Sequence, residues 1–407
     1  MPAHAHSPSG GRASERPPLE VADIVRAHGA TFTASHALTP EQHAVLRDIA
    51  RCRTAALGGH VDVCTACGYT AIAYNSCRNR HCPKCQSLAQ ARWIERRMER
   101  VLPTHAFHVV FTLPSQLYGL ALANREKVFD MLFASAAETL LELGRNPKHL
   151  GAELGITSVL HTWTRELRFH PHVHSIVTGG GLSLDGERWV ETKPDFLFPV
   201  RVIGAFFRGK FLDRLVHAYE RGQLRLEGSA AVLADRDRFA RLRDKLYKMR
   251  WVVYAKRPFG GPEQVFRYLG RYTHRVGLSN RRLVSLDERG VTFRTRAEQT
   301  ATLTPHEFLR RFVLHVLPKG FVKIRHHGLM APSHVSTRLV VARRLLEAAA
   351  PKTAPASAPA EPRAPRDFRE ILLALTGIDL HLCPRCGATL IRRALDSDSS
   401  PVPPDTS

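Results

Sequence analysis

The chain has 407 residues, 44% of them hydrophobic, enough to bury a core and to form two or three domains. Against 59 Lys plus Arg stand 37 Asp plus Glu, a net charge of +22, and that excess favours a polyanionic partner. No apolar run approaches the roughly 18 to 20 residues a membrane span needs. The N-terminal "MPAHAHSPSGGRASERPP" has neither the apolar core nor the cleavage pattern of a secretory signal. Six of the eight cysteines fall between Cys52 and Cys85 and the other two form one CxxC pair, which points to metal binding in a reducing cytoplasm rather than to disulfides.

In chain order, residues 1–18 are Pro-, Ser-, Gly- and His-rich and read as a disordered tail. Residues 19–103 then hold a short helix from Thr39 to Arg51, the cysteine cluster, and a charged helical stretch "LAQARWIERRMERVLP" ending near Pro103. From 104 to 349 strands and helices alternate. "AFHVVFTLP" (Ala106 to Pro114) is a β-branched, aromatic run closed by proline, hence a strand, and Asn124 to Leu143 has helical spacing. "TSVLHTW" and "HVHSIVTGGG" read as two strands with a turn between. Helices are expected at Val200 to Arg221 and Asp235 to Tyr247, with a short strand at Trp251 to Ala255. "GPEQVFRYLGRYTHRV" begins with Pro262 in a first-turn position, and "TPHEFLRRFVLHVLP" carries a Thr304/Glu307 capping box and stops at Pro318. Residues 350–366 are an Ala/Pro linker, expected to hold the C-terminal segment 367–407 away as a tether. The mixed order predicts an α+β fold with a small sheet.

The spacing Cys64-x2-Cys67-x9-Cys77-x4-Cys82-x2-Cys85 presents two CxxC knuckles. Cys64, Cys67, Cys82 and Cys85 are expected to hold one Zn²⁺, and Cys52, His60, Cys77 and His81 are the right kind for a second. Four thiolates leave no open position, so such a zinc supports folding rather than catalysis. Arg78, Arg80 and Lys84, followed by Arg92, Arg96, Arg97 and Arg100, are candidate nucleic-acid contacts, although arginines on a helix also make an ordinary solvated face. Cys383 and Cys386 in "CPRCG" form half a site, to be completed by His381, by another chain, or left alone.

In "FHPHVHSIV" (Phe169 to Val177), residues two apart share a strand face, so His172 and His174 project together. Two such imidazoles make half of a divalent-metal site. If the preceding strand pairs antiparallel, His161 supplies a third nitrogen, with Glu166 and His170 as competitors. Three protein ligands leave positions open for substrate. A nucleophile is offered by "FRYLGRYTHR", where Tyr268 and Tyr272 lie one helical turn apart among Arg267, Arg271 and Arg275. Tyrosines at that spacing also suit a packed helix face, since Val265, Leu269 and Val276 continue the stripe.

Taken together these residues are recognisable. "HPHVH" resembles the HUH signature of single-strand endonucleases and Tyr-x3-Tyr resembles their two-tyrosine class. With "SCRNRHCPKCQ" upstream and "YLGRYTHRVGLSN" downstream, the chain looks like a rolling-circle transposase of the insertion-sequence-ninety-one family over roughly Thr39 to Ala331. The resemblance implies an HUH domain, an antiparallel sheet flanked by helices, behind an N-terminal zinc-binding module that recognises DNA. It implies that His172 and His174 bind Mg²⁺ or Mn²⁺, with His161 as third ligand after the three-histidine arrangement of related relaxases. Tyr268 and Tyr272 would attack DNA to leave a 5′-phosphotyrosine, aided by Arg271 or Arg275. Gly270, between the tyrosines, departs from a good helix former.

The partner implied is DNA, mainly single-stranded or locally melted ends of a mobile element, with a homo-oligomer and host replication factors as further partners the chemistry admits and with a bacterial, nucleoid-associated location. A relaxase or replication initiator would use the same residues, and a zinc-dependent DNA-binding protein without catalysis would use only the cysteines and the charge. A zinc hydrolase lacks an identifiable general base.

Overall fold

The computed structural model describes residues 17–256, 277–296, 299–349, 370–371, 373 and 377–395. They fall into two compact units that interleave along the chain: 1–91 with 279–306 and 357–407, and 92–278 with 307–356. The sequence suggests consecutive segments instead.

The first unit opens with α1 (Val21–Ser35), which no sequence motif announces, and α2 (Pro40–Arg51). A capping box starts α2: Thr39 Oγ1 accepts from the Gln42 amide at 3.3 Å and the Gln42 side chain accepts from the Thr39 amide at 2.9 Å. The hairpin β1 (Gly59–Cys64) and β2 (Thr70–Tyr74) follows. Helix α3 (Ser87–Met98) leads into the second unit and buries Trp93.

The second unit is built on a six-stranded antiparallel sheet. Its strands in chain order are β3 (Ala106–Thr112), β4 (Ala152–Trp163), β5 (Phe169–Ser183), β6 (Trp189–Glu191) and β7 (Val253–Lys256), joined later by a strand at Ile324–Gly328. The Ile324–Gly328 strand pairs with β4, β4 with β5, β5 with β3 and β3 with β7, while β6 adds to the far end of β5. Between β3 and β4 run α4 (Tyr118–Ala123) and α5 (Arg125–Arg145), and between β6 and β7 run α6 (Val200–Glu220) and α7 (Arg236–Lys248).

Alternation along these strands divides the sheet into two unlike faces. Phe107, Val109 and Phe111 of β3, Leu160 of β4 and Val173 and Val177 of β5 are buried in one core with Phe129, Leu132 and Phe133 of α5 and Phe207 and Phe211 of α6. Each such side chain contributes about 1.5–3 kcal/mol when fully buried. The intervening residues, His108, His161, His172 and His174, occupy the other face. Part of that face is covered by an apolar patch in which Trp93 of α3 meets Ala106, Val159 and Ile176.

Beyond residue 277 the first unit gains a meander, β8 (Leu283–Asp287), β9 (Gly290–Arg294) and β10 (Thr300–Leu303). Asn280 just before it accepts, through Oδ1, a hydrogen bond from the Val21 amide at the start of α1. A helix covers Pro305–Val313, five residues short of Pro318, and Glu307 there pairs with Arg310 and Arg311. The last described strand, β12 (Leu390–Ala394, counting Ile324–Gly328 as β11), lies antiparallel to β1. Within the segment expected to hang on a tether, Leu390–Ala394 is therefore a sheet strand of the first unit, and together with β1 and β2 it makes a three-stranded sheet. Among the described residues no helix is long and apolar enough to cross a membrane.

Candidate active site and metal centres

Strands β4 and β5 pair in antiparallel register with His161 directly opposite His172 and Val159 opposite His174. That register brings the three imidazoles together. One nitrogen from each of His161, His172 and His174 lies within 4.8 Å of the others, a geometry that one cation can bridge. Ring centroids are 4.3 Å apart for His161 and His174, 4.8 Å for His172 and His174, and 5.5 Å for His161 and His172. The competing third ligands stand elsewhere: Glu166 is exposed and paired with Arg168 at 3.0 Å, and His170 meets the Tyr118 hydroxyl at 2.6 Å.

Burial makes these histidines ready ligands. It pushes the His172 pKa down to about 4, and holds His161 and His174 well below the ordinary 6.5, with the neighbouring imidazoles adding to the effect. Neutral imidazoles present lone pairs at neutral pH. Their orientation is fixed from behind. His172 Nδ1 donates to the His170 carbonyl at 2.6 Å, which leaves Nε2 as the ligating atom. His174 Nδ1 is 2.8 Å from His108 Nε2, and the two rings stack at 5.0 Å. His108 of β3 is not singled out by the sequence, because "FHVVF" reads as an apolar strand and only pairing with β5 reveals its neighbour. His161 stacks on Trp163 at 4.9 Å.

Tyr268, Tyr272, Arg271 and Arg275, together with the expected helix that carries them, lie outside the described residues. The two ends of that segment are described. Lys256 is opposite His108 in the pairing of β7 with β3. Gly277, with φ of +30°, lies so close to the Trp163 ring that a Cβ there would be 2.7 Å from it, so only glycine fits.

The eight cysteines are free thiols gathered into two groups of four, partnered differently from the sequence expectation. Cys52, Cys77, Cys82 and Cys85 form one group, and Cys64, Cys67, Cys383 and Cys386 form the other. The reason is the hairpin. β1 carries the chain from Cys52 out over roughly 20 Å to the Cys64 knuckle at its tip, and β2 returns it, so that the Cys77 amide meets Cys52 Sγ at 3.5 Å. The first knuckle is thus held away from Cys82 and Cys85. His60 and His81 join neither group; His60 lies 3.8 Å from Asp62, and His81 is hydrogen-bonded to Asn79 at 3.2 Å. Sulfur separations of 3.5 Å (Cys64 to Cys386), 3.6 Å (Cys67 to Cys383) and 3.7 Å (Cys77 to Cys85) fit the edge of a tetrahedron with Zn–S bonds of about 2.3 Å, which is about 3.8 Å. The amides of Cys67 and Ala66 bring the Cys64 thiol down to about 7 against the cost of burial.

Of the basic candidates beside this module, Arg78 is exposed, on a left-handed backbone with φ of +54°. Arg80 is half-buried, which lowers its pKa. Lys84 is ion-paired with Glu20, both side chains almost covered, and is a structural strut rather than a free cation.

Comparison with known proteins agrees with both parts of the chain. Residues 155–338 match the family model described as "Putative transposase", and residues 24–113 match "Transposase zinc-binding domain". The chain is 46% identical over 374 residues to "Putative transposase y4qJ" of Sinorhizobium fredii, covering 90% of this chain and 92% of that protein. It is 28% identical over 365 residues to "Transposase for insertion sequence element IS801" of Pseudomonas savastanoi pv. phaseolicola, covering 84% and 81%. No solved structure matches it. A zinc-binding domain, cysteine groups fit to hold metal, an antiparallel sheet with its histidine cluster, and likeness to transposases over most of its length lead to one conclusion: this chain belongs to the transposases of the insertion-sequence-ninety-one family.

Proposed function

We propose that this transposase cuts and rejoins single-stranded DNA at the ends of its element by rolling-circle transposition through a 5′-phosphotyrosine. The observation that carries the reading is the meeting of His161, His172 and His174 on two adjacent central strands. All three are neutral nitrogen donors on a face otherwise free of carboxylate ligands among the described residues within reach of them. They would hold Mg²⁺ or Mn²⁺. When bound, such a cation draws charge from the non-bridging oxygens of the scissile phosphate.

Tyr268 and Tyr272 are the nucleophiles in this reading. The proximity of Lys256 to His108 and of Gly277 to Trp163 supports it, since both ends of their segment flank the histidine cluster. Tyr272 is five residues from Gly277, so fully extended chain separates their Cα atoms by at most roughly 17 Å. A phenol has an ordinary pKa of about 10, and Arg271 or Arg275 would favour the phenolate. Its oxygen forms a bond to phosphorus as the bond to the 3′ oxygen breaks, the departing oxygen takes a proton, and a 3′-OH remains. Because the phosphotyrosine keeps the ester bond, a later 3′-OH reverses the step without ATP. Two tyrosines let two strands be held in turn.

The zinc module, residues 19–103, would recognise the element's ends through Arg78 and Arg80, and residues 104–349 would supply catalysis. Single-stranded DNA suits a basic groove with aromatic stacking. The protein works in the bacterial cytoplasm at the nucleoid, where a second copy and host replication factors can join it. Labelled single-stranded oligonucleotides from the element's ends, incubated with Mn²⁺, test the reading: a covalent adduct is expected, and binding without cleavage on either end would overturn it.

A further inference from the structure

The CPRCG motif near the C-terminal end of the described chain is not half of a site. It repeats the local structure of the first knuckle, more than three hundred residues upstream. In the first, the Gly68 amide donates to the Cys64 carbonyl at 3.0 Å and the Cys64 amide to the Tyr69 carbonyl at 2.8 Å. In the second, the Gly387 amide donates to the Cys383 carbonyl at 2.9 Å and the Cys383 amide to the Ala388 carbonyl at 2.7 Å. Each turn is closed by a left-handed glycine, φ of +70° at Gly68 and +75° at Gly387, and each leads directly into a strand, β2 or β12. Two matching knuckles face one another with their four sulfurs gathered.

We propose that Cys64, Cys67, Cys383 and Cys386 of one chain hold a second zinc, which clips the C-terminal segment onto the N-terminal module and completes that module. This site lies partly outside the matched zinc-binding domain, which ends at residue 113. The strand pairing shows why the module needs it. Without β12, β1 and β2 are a lone hairpin, which is marginal in water. With β12 the sheet has three strands, five residue pairs between β1 and β12, and a bidentate Arg392–Asp62 contact at 2.7 and 2.9 Å. The consequence is an order of assembly: the module that meets DNA closes only after residue 394 has been synthesised, so a chain interrupted in the catalytic body lacks a finished recognition module.

The test uses the full chain. Zinc per chain, measured by elemental analysis alongside thiol titration, is expected to be two for the wild type and one for the C383S/C386S variant, with Co²⁺-substituted protein losing about half its thiolate charge-transfer absorbance. In a second arm, a specific protease site is inserted between Pro355 and Pro359. After cutting, the C-terminal fragment stays with the monomeric body and separates on chelation. One zinc in the wild type, disulfides in place of thiols at these four cysteines, release of the fragment while zinc is retained, or retention only in dimers would each overturn the proposal.

Discussion

His108 Nε2 on β3 stands 2.8 Å from His174 Nδ1 on β5, and this contact sets which nitrogen of His174 faces the other two imidazoles. His108 is not one of the three residues whose nitrogens gather, so it acts on the site through His174. Its replacement by alanine is expected to weaken Mn²⁺ binding by about 10–100-fold while leaving the fold intact. His108→Gln, whose side-chain carbonyl keeps an acceptor for the His174 Nδ1–H, should recover part of the loss. Calorimetric titration with Mn²⁺ checks both variants, and equal affinity in His108→Ala and wild type would remove His108 from the site.

The His161–His172 register makes a stronger prediction for the ligands themselves. His172→Ala or His174→Ala is expected to abolish metal-dependent cleavage, and His161→Ala to do the same if it is the third ligand. An active His161→Ala protein with unchanged Mn²⁺ affinity would return the third position to the other groups around the cluster.

Stability should depend on pH in a definite direction. Burial lowers the pKa of His172 and of His315 to about 4 from 6.5, so the unfolded chain takes up protons first as pH falls. The folded state is unpenalised above pH 6.5 and loses stability progressively down to pH 4, by up to ~3 kcal/mol per group at 1.36 kcal/mol per pKa unit. His315 is fully inside, between Thr162 and the Leu167 carbonyl, and is not among the proposed ligands. Urea unfolding at pH 7.0, 6.0 and 5.0 should therefore show falling stability, with a shallower fall in His315→Asn. A slope unaltered by that substitution would contradict the assignment.

Arg78 and Lys84 of the cysteine module should separate cleanly. Arg78→Ala is expected to reduce affinity for DNA and lower the salt slope of log Kd by about 1, the signature of one lost phosphate contact. Lys84→Ala removes the partner of the covered Glu20 carboxylate and should cost stability, about 1–3 kcal/mol, with the salt slope unchanged. Fluorescence anisotropy across a salt series distinguishes them.

Local pattern makes much of the fold readable. A β-branched, aromatic run closed by proline marks β3, and helical spacing marks α5, because each presents an apolar surface to the same core. The zinc ligand sets are not readable, since CxxC spacing says which thiols are neighbours in sequence and nothing about the hairpin that parts Cys64 from Cys82. Strand β12 is hidden for a related reason: "LIRRA" has no periodicity of its own and becomes a strand only by pairing with β1. His172 and His174 can be placed on one face from alternation alone, whereas His108 needs the β3–β5 register, a long-range fact.

The most direct test of the account is mass spectrometry of the protein after incubation with Mn²⁺ and single-stranded element-end oligonucleotides. A 5′-phosphotyrosine is expected on Tyr268 or Tyr272, lost in His172→Ala, on chelation, and in the Tyr268→Phe/Tyr272→Phe double variant. An adduct on any other residue, or cleavage that persists in the double variant, would contradict it.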